Sequence, residues 1–213
     1  MDNPELHKEN SRGSWLGTTA FYQSEDIAVQ HISSGIYDCH CMNKDFEEIP
    51  DNDNPVWEKV AFCGPFITNG AMGDPSLKTT VAAFYDSEAL YFNFQNEDLI
   101  LRHGSDLLSP DPEKAKRSEP RIEIYLDPLR EAGEMFYIAC TIWGNIWTCH
   151  IAAGNDPEMS AKLIAPTGIV GKTSIVPTGW NAILMVPFAF LGQNTPESGA
   201  IWRINACHIS FVD

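Results

Sequence analysis

Apolar and polar residues alternate with a period of two along most of this chain, and that period belongs to half-buried β-strands. In Ala89 to Asn96, Leu90, Phe92 and Phe94 point one way, and Tyr91, Asn93 and Gln95 point the other. The run Lys78 to Tyr85 precedes it across Asp86-Ser87-Glu88, so the two read as a hairpin. Arg121 to Leu126 repeats the pattern, with Ile122, Ile124 and Leu126 opposed to Arg121, Glu123 and Tyr125. Further strands are expected at Ile169 to Val176, Trp180 to Val186 and Ile201 to Phe211, and one or two more between Ile27 and Met42 around Ser33-Ser34-Gly35. Asp51-Asn52-Asp53-Asn54-Pro55 is a loop of turn formers, after which Val56 to Val60 starts a new element anchored by Trp57. Pro187 to Leu191 reads as a short turn or helix before Gly192. Leu107 to Pro120 reads as a surface loop with one short helical turn at Glu113 to Arg117, and Asn155 to Ser160 as another loop.

Glu134 to Trp143 and Ile146 to Ala153 flank Gly144-Asn145, which predicts a two-residue type II′ hairpin. Counted outward from Trp143 opposite Ile146, that register sets Cys140 opposite Cys149. It makes them adjacent buried thiols, able to join if oxidised.

No amphipathic stretch of helical length interrupts these runs. Roughly nine or ten short strands with regular turn signals predict an all-β fold, an antiparallel β-sandwich. One sandwich domain is expected over residues 27–213, behind a polar, flexible N-terminal extension at 1–26.

Charge narrows the partners. The 213 residues carry 14 Lys+Arg against 29 Asp+Glu, a formal net charge of -15. A surface this acidic, without a basic stripe, repels phosphate backbones and anionic lipid, so neither nucleic acid nor membrane is an expected partner. No apolar run is long enough to span a bilayer and Met1 to Arg12 has no apolar core, so neither a transmembrane segment nor a signal peptide is read; the compartment stays open.

Chemistry-bearing motifs are sparse. Cys39 and Cys41 form C-x-C without a second pair at ligand spacing, which argues against structural zinc. Asp51, Asp53 and the loop from Asp106 to Asp111 offer oxygens to calcium, but not at EF-hand spacing, and no other cofactor is expected. The sequence has no G-x-S-x-G, P-loop or H-E-x-x-H, and no pair of carboxylates is set apart by an apolar neighbourhood as glycoside hydrolysis would need. Haem would draw axial ligands from His103, His150, His208, Met135 and Met185, which read more simply as ordinary surface or core residues.

Five segments in order carry a family resemblance. They are Pro55-Val56-Trp57 after an acidic turn; Phe84 to Phe92 followed by Asn96-Glu97-Asp98; Arg121 to Pro128; Gly179-Trp180 through Val186-Pro187-Phe188 to Leu191-Gly192; and Trp202-Arg203-Ile204-Asn205. Over about residues 36–211 the chain resembles the family 9 carbohydrate-binding modules. The resemblance implies a jelly-roll-like sandwich of the DOMON type and extracellular work on polysaccharide, often beside a glycoside hydrolase.

The resemblance carries little of that family's sugar site. One clamp tryptophan would fall near Arg117, where no aromatic stands, and a family arginine would fall near Ala139. The second clamp tryptophan would fall past Asp213, and of the polar site only Glu123 matches.

Alternation groups Asn93, Gln95, Arg121, Glu123, Thr141, Trp143 and His150 on one expected sheet surface. Amides, charges and an aromatic plate suit a saccharide. Glu123, Arg121, Gln95 and Trp143 are the candidate ligand-binding residues, and Trp15, Trp57, Trp147, Trp180 and Trp202 read as packing. The expected function is non-catalytic carbohydrate binding. The alternative is a protein-interaction or structural sandwich that has lost the sugar site.

Overall fold

The expected strands form where the alternation puts them. The computed structural model describes residues 27–31, 37–42, 48–69, 78–97, 120–130, 134–151 and 161–211. Its strands are β1 Ile27–His31, β2 His40–Cys41, β3 Ile67–Asn69, β4 Thr79–Tyr85, β5 Ala89–Glu97, β6 Arg121–Asp127, β7 Met135–Thr141, β8 Ile146–Ile151, β9 Ala161–Ile164, β10 Val170–Val176, β11 Gly179–Pro187 and β12 Arg203–Phe211. The extension at 1–26, the turn at Ser33-Ser34-Gly35, the loop at Asn155 to Ser160, and nearly all of Leu107 to Pro120 lie outside the described residues.

These strands make two sheets. One has seven strands in the order β3-β1-β12-β6-β7-β8-β9, and the other has five in the order β10-β11-β5-β4-β2. Pairing is antiparallel except between β2 and β4. The apolar positions of each alternation meet between the sheets, where Phe92, Phe94, Ile122, Ile124, Ile138, Cys140, Trp180, Leu184 and Val186 form one core cluster. Burying a large apolar side chain here stabilises by about 1.5–3 kcal/mol, so the pattern fixes register and face together.

Local chemistry shapes the turns. Asp86 is buried and accepts the backbone N–H groups of Glu88 and Ala89 on one carboxylate oxygen, at 2.7 and 2.8 Å. Its other oxygen takes the Tyr91 hydroxyl at 2.9 Å, which folds the β4–β5 turn. The Pro55–Lys59 segment forms a 3-10 helix, with the Asn54 side chain accepting from the Val56 N–H at its start. Trp57, 4% exposed, packs on Phe84 from outside the five-stranded sheet and so roofs part of it.

The β7–β8 hairpin departs from the expected register. Tyr137 pairs with Cys149, and Cys140 pairs with Ile146. The Gly144 N–H bonds to the Thr141 carbonyl at 2.8 Å, the Thr141 N–H to the Asn145 carbonyl at 3.0 Å, and the Asn145 N–H to the Thr141 hydroxyl at 3.2 Å. The loop is therefore Ile142-Trp143-Gly144, a type I turn closed by a left-handed glycine (φ 78°).

Two things outweigh the Gly-Asn signal. The Thr141 side chain holds the turn, and Ile142 drops into the core at 2% exposure. The register consequently moves by three residues, an odd number, and the faces of β8 exchange. Cys140 stays in the core and Cys149 turns to the outer face, so the expected thiol pair does not form. Trp147 turns outward with Cys149.

Candidate functional site

Strand β6 buries Ile122, Ile124 and Leu126 between the sheets, which sends Arg121, Glu123 and Tyr125 to the outer face of the seven-stranded sheet. That face is nonetheless closed over them. Arg121 is 2% exposed, Glu123 0% and Tyr125 5%. A buried carboxylate stands only if its charge is answered. Arg121 Nε donates to Glu123 Oε1 at 2.9 Å, the Tyr137 hydroxyl donates to the same oxygen at 3.0 Å, and the Tyr125 hydroxyl donates to Oε2 at 3.1 Å.

The ladders place the neighbours. One cross-strand row runs Cys207, Glu123, Ala139, Trp147, and the next runs Asn205, Tyr125, Tyr137, Cys149. The Tyr125 and Tyr137 rings meet at 5.1 Å, and Ile151 and Ile209 close the apolar margin. Burial pushes the Cys207 thiol well up, and the negative charge of Glu123 beside it pushes further in the same direction. Ala139 leaves no bulk between Glu123 and Trp147, whose strands stand about 10 Å apart across two ladder spacings. Tyr137 and Trp147 are half-buried, so the cluster meets solvent on that side.

Of the candidate residues, the structure brings Arg121 and Glu123 together, with Thr141 directly across from Arg121. It separates the others. Gln95 and Asn93 sit on the outer face of the five-stranded sheet, since Gln95 pairs with Thr80 and Asn181 there. The alternation holds in both strands, but periodicity does not fix which sheet a strand joins, and β5 and β6 lie in different sheets. Trp143 stands exposed at the hairpin tip, beside the β6 end where the Ile142 N–H bonds to the Pro120 carbonyl. His150 faces inward, against the Phe136 ring at 5.2 Å, because of the register shift.

Sequence reasoning passed over Tyr137 and Trp147. The outward face of Tyr137 follows from the alternation of β7 with Ile138 and Cys140, whereas that of Trp147 depends on the hairpin loop, for which the hydroxyl of Thr141 is the signal. Ala139, the position where the resemblance expects an arginine, lies directly opposite Glu123. The guanidinium on this carboxylate comes instead from Arg121, two residues along the same strand.

Among the described residues no three His, Cys, Asp or Glu side chains gather in a way that could hold a metal ion. Asp51 binds Lys172 Nζ at 2.9 Å, and Asp106 to Asp111 lies outside the described residues, as does His103. The histidines and methionines considered for haem do not converge. Met135 and His150 face opposite sides of their sheet, Met185 belongs to the other sheet, and His208 Nδ1 bonds with the Thr79 hydroxyl at 2.9 Å in the core. No helix among the described residues is long and apolar enough to cross a membrane.

No protein-family model and no curated protein matches the chain. Solved structures do. A family 9 carbohydrate-binding module from Caldicellulosiruptor kristjanssonii in complex with cellotriose aligns at TM-score 0.55 and 12% identity, covering 81% of this chain and 83% of that one. Such a module from the same organism in complex with glucose aligns at 0.52 and 12%, covering 79% and 84%. A Bacteroides uniformis protein, provisionally described as carbohydrate-binding, aligns at 0.58 and 10%, covering 80% and 82%. With five segments of sequence resemblance, two sheets in one sandwich and these alignments, the chain has the fold of the family 9 carbohydrate-binding modules.

Proposed function

We propose that this protein is a non-catalytic saccharide-binding module whose binding face is the outer side of the seven-stranded sheet, centred on Glu123. The observation that carries the reading is the company Glu123 keeps: a guanidinium, two tyrosine hydroxyls and an outward tryptophan on one face. Hydrogen bonds to a charged group are worth about 1.5–3 kcal/mol, and an aromatic plate stacks the C–H side of a pyranose. The structural neighbours that hold cellotriose and glucose support a neutral sugar as the ligand class. Sugar hydroxyls would enter along the half-buried Tyr137–Trp147 margin and take over one of the tyrosines' places on the carboxylate.

Binding by this route is weak. Glu123 is fully buried, so a competent, opened state is a minor population, and apparent affinity falls by that fraction. Dissociation constants near the millimolar range are expected, and Glu123→Gln weakens binding roughly tenfold. Titration calorimetry with glucose and cellotriose, on the wild type and Glu123→Gln, tests this. Submicromolar affinity untouched by Glu123→Gln contradicts the site.

The full burial of Glu123 also favours a second reading: a self-satisfied ion pair in a structural or protein-interaction sandwich. That reading predicts no heat with any saccharide.

A further inference from the structure

The outer face of the five-stranded sheet holds a groove of about 560 Å³, between the loop at residues 51–53 and the outward sides of β10 and β11. Asp53, Ser174 and Asn181 line it with polar groups, and Ile183 lies at its apolar side. That volume falls within the size range of small-molecule sites.

The groove is not built for an ion. Its one lysine, Lys172, already lies 2.9 Å from Asp51 Oδ1 and 3.0 Å from the Ile49 carbonyl oxygen. The ammonium thus holds the oxygens a metal cation would want, and the neutralised Asp51 offers no free charge. Anions are repelled by a protein of net charge -15.

Two amides, Asn52 and Asn181, remain among the lining groups, beside Asp53, Thr173 and Ser174. Asn181 pairs across the ladder with Gln95, which is exposed, and Ile183 pairs with Asn93. Asn93 is 0% exposed, and neither its Oδ1 nor its Nδ2 has a hydrogen-bond partner. The Asn52 Oδ1, on the opposite wall, is buried without a partner as well. A buried amide group left so costs about 1–3 kcal/mol, which a sheet position flanked by Ala82 and Ile183 could avoid with any apolar residue. Each amide offers a donor beside an acceptor, the arrangement that two adjacent hydroxyls of a sugar complement.

We propose that this groove is a second ligand site, for a neutral polyhydroxylated ligand of the oligosaccharide class. Asn181 and Ser174 supply its polar contacts, exposed Gln95 stands across the ladder from Asn181 at its margin, and Asn93 sits one strand further in, outside the lining. It shares a ligand class with the Glu123 face but no residue, so either site can fail alone.

Nuclear magnetic resonance of the full chain, labelled with nitrogen-15, tests it by reading side-chain amide signals. The probes are cellotriose, xylotriose and mannotriose at millimolar concentrations. At least one of them shifts the Asn181 and Gln95 side-chain signals saturably. The response weakens at least tenfold in Asn181→Leu and in the surface variant Gln95→Ala, and it persists in Trp147→Ala on the opposite sheet. Silence of these amides with all three probes overturns the proposal. So do shifts that survive both groove substitutions, or that disappear with Trp147→Ala.

Discussion

The two outer faces of this sandwich each bury polar groups, yet they do so in opposite ways. On the seven-stranded sheet, Glu123 is wrapped by Arg121, Tyr125 and Tyr137. On the five-stranded sheet, Asn93 is equally buried and its amide has no partner at all. A charge inside a protein is tolerated only with its counter-charge and donors in place, whereas an uncharged amide can stand unanswered at a cost of a few kcal/mol. The first face spends its binding chemistry on itself and must open to admit a ligand. The second keeps amide groups in hand next to a groove already formed.

The contrast predicts effects of opposite sign. Glu123→Ala removes the buried carboxylate that Arg121, Tyr125 and Tyr137 donate to, and breaking a buried pair in this way costs about 3–5 kcal/mol. For a domain of this size that lowers the melting temperature by on the order of 10 °C, as calorimetry would show. If the melting temperature barely moves, the charge is not buried as described.

The core between the faces supplies a pH reference. Burial pushes the Cys140 thiol from 9.0 up to about 12. A folded-state value raised above the unfolded one leaves its stability contribution fully present below about pH 9. It is lost as pH rises from about 9 to about 12, by up to ~4 kcal/mol. Denaturant midpoints measured across that range should fall with pH, and less steeply in Cys140→Ala. Equal slopes would place the thiol in contact with water.

Asn93→Leu is the counterpart of Glu123→Ala. It replaces an unanswered amide with an apolar side chain of similar size, so stability rises by about 1–3 kcal/mol. A loss instead would mean that Asn93 is satisfied in solution. Smallest is Gly144→Ala at the left-handed loop position (φ 78°), which destabilises by about 1 kcal/mol and leaves both faces intact.

Strand positions and their inward faces were legible from alternation alone. Leu90, Phe92, Phe94, Ile122 and Ile124 all lie in the core as read. Two things were not. Periodicity says which residues share a strand face but not which sheet the strand joins, so Gln95 and Glu123 were grouped although they lie on opposite sides of the sandwich. Hairpin register hangs on a single loop, and the Thr141 hydroxyl with Ile142 turned a two-residue loop into a three-residue one. That change moved Trp147 out of the expected packing and onto the Glu123 face, and it separated Cys140 from Cys149. Long-range closure over Glu123 has no local signal at all.

The central claim is that saccharide binds on the Glu123 face, and Trp147 against Trp143 tests it most directly. Fluorescence titration with cellotriose should give a saturable change in the wild type and in Trp143→Phe. In Trp147→Phe the affinity should drop at least tenfold. A drop confined to Trp143→Phe, or no saturable change in any of the three, would contradict the account.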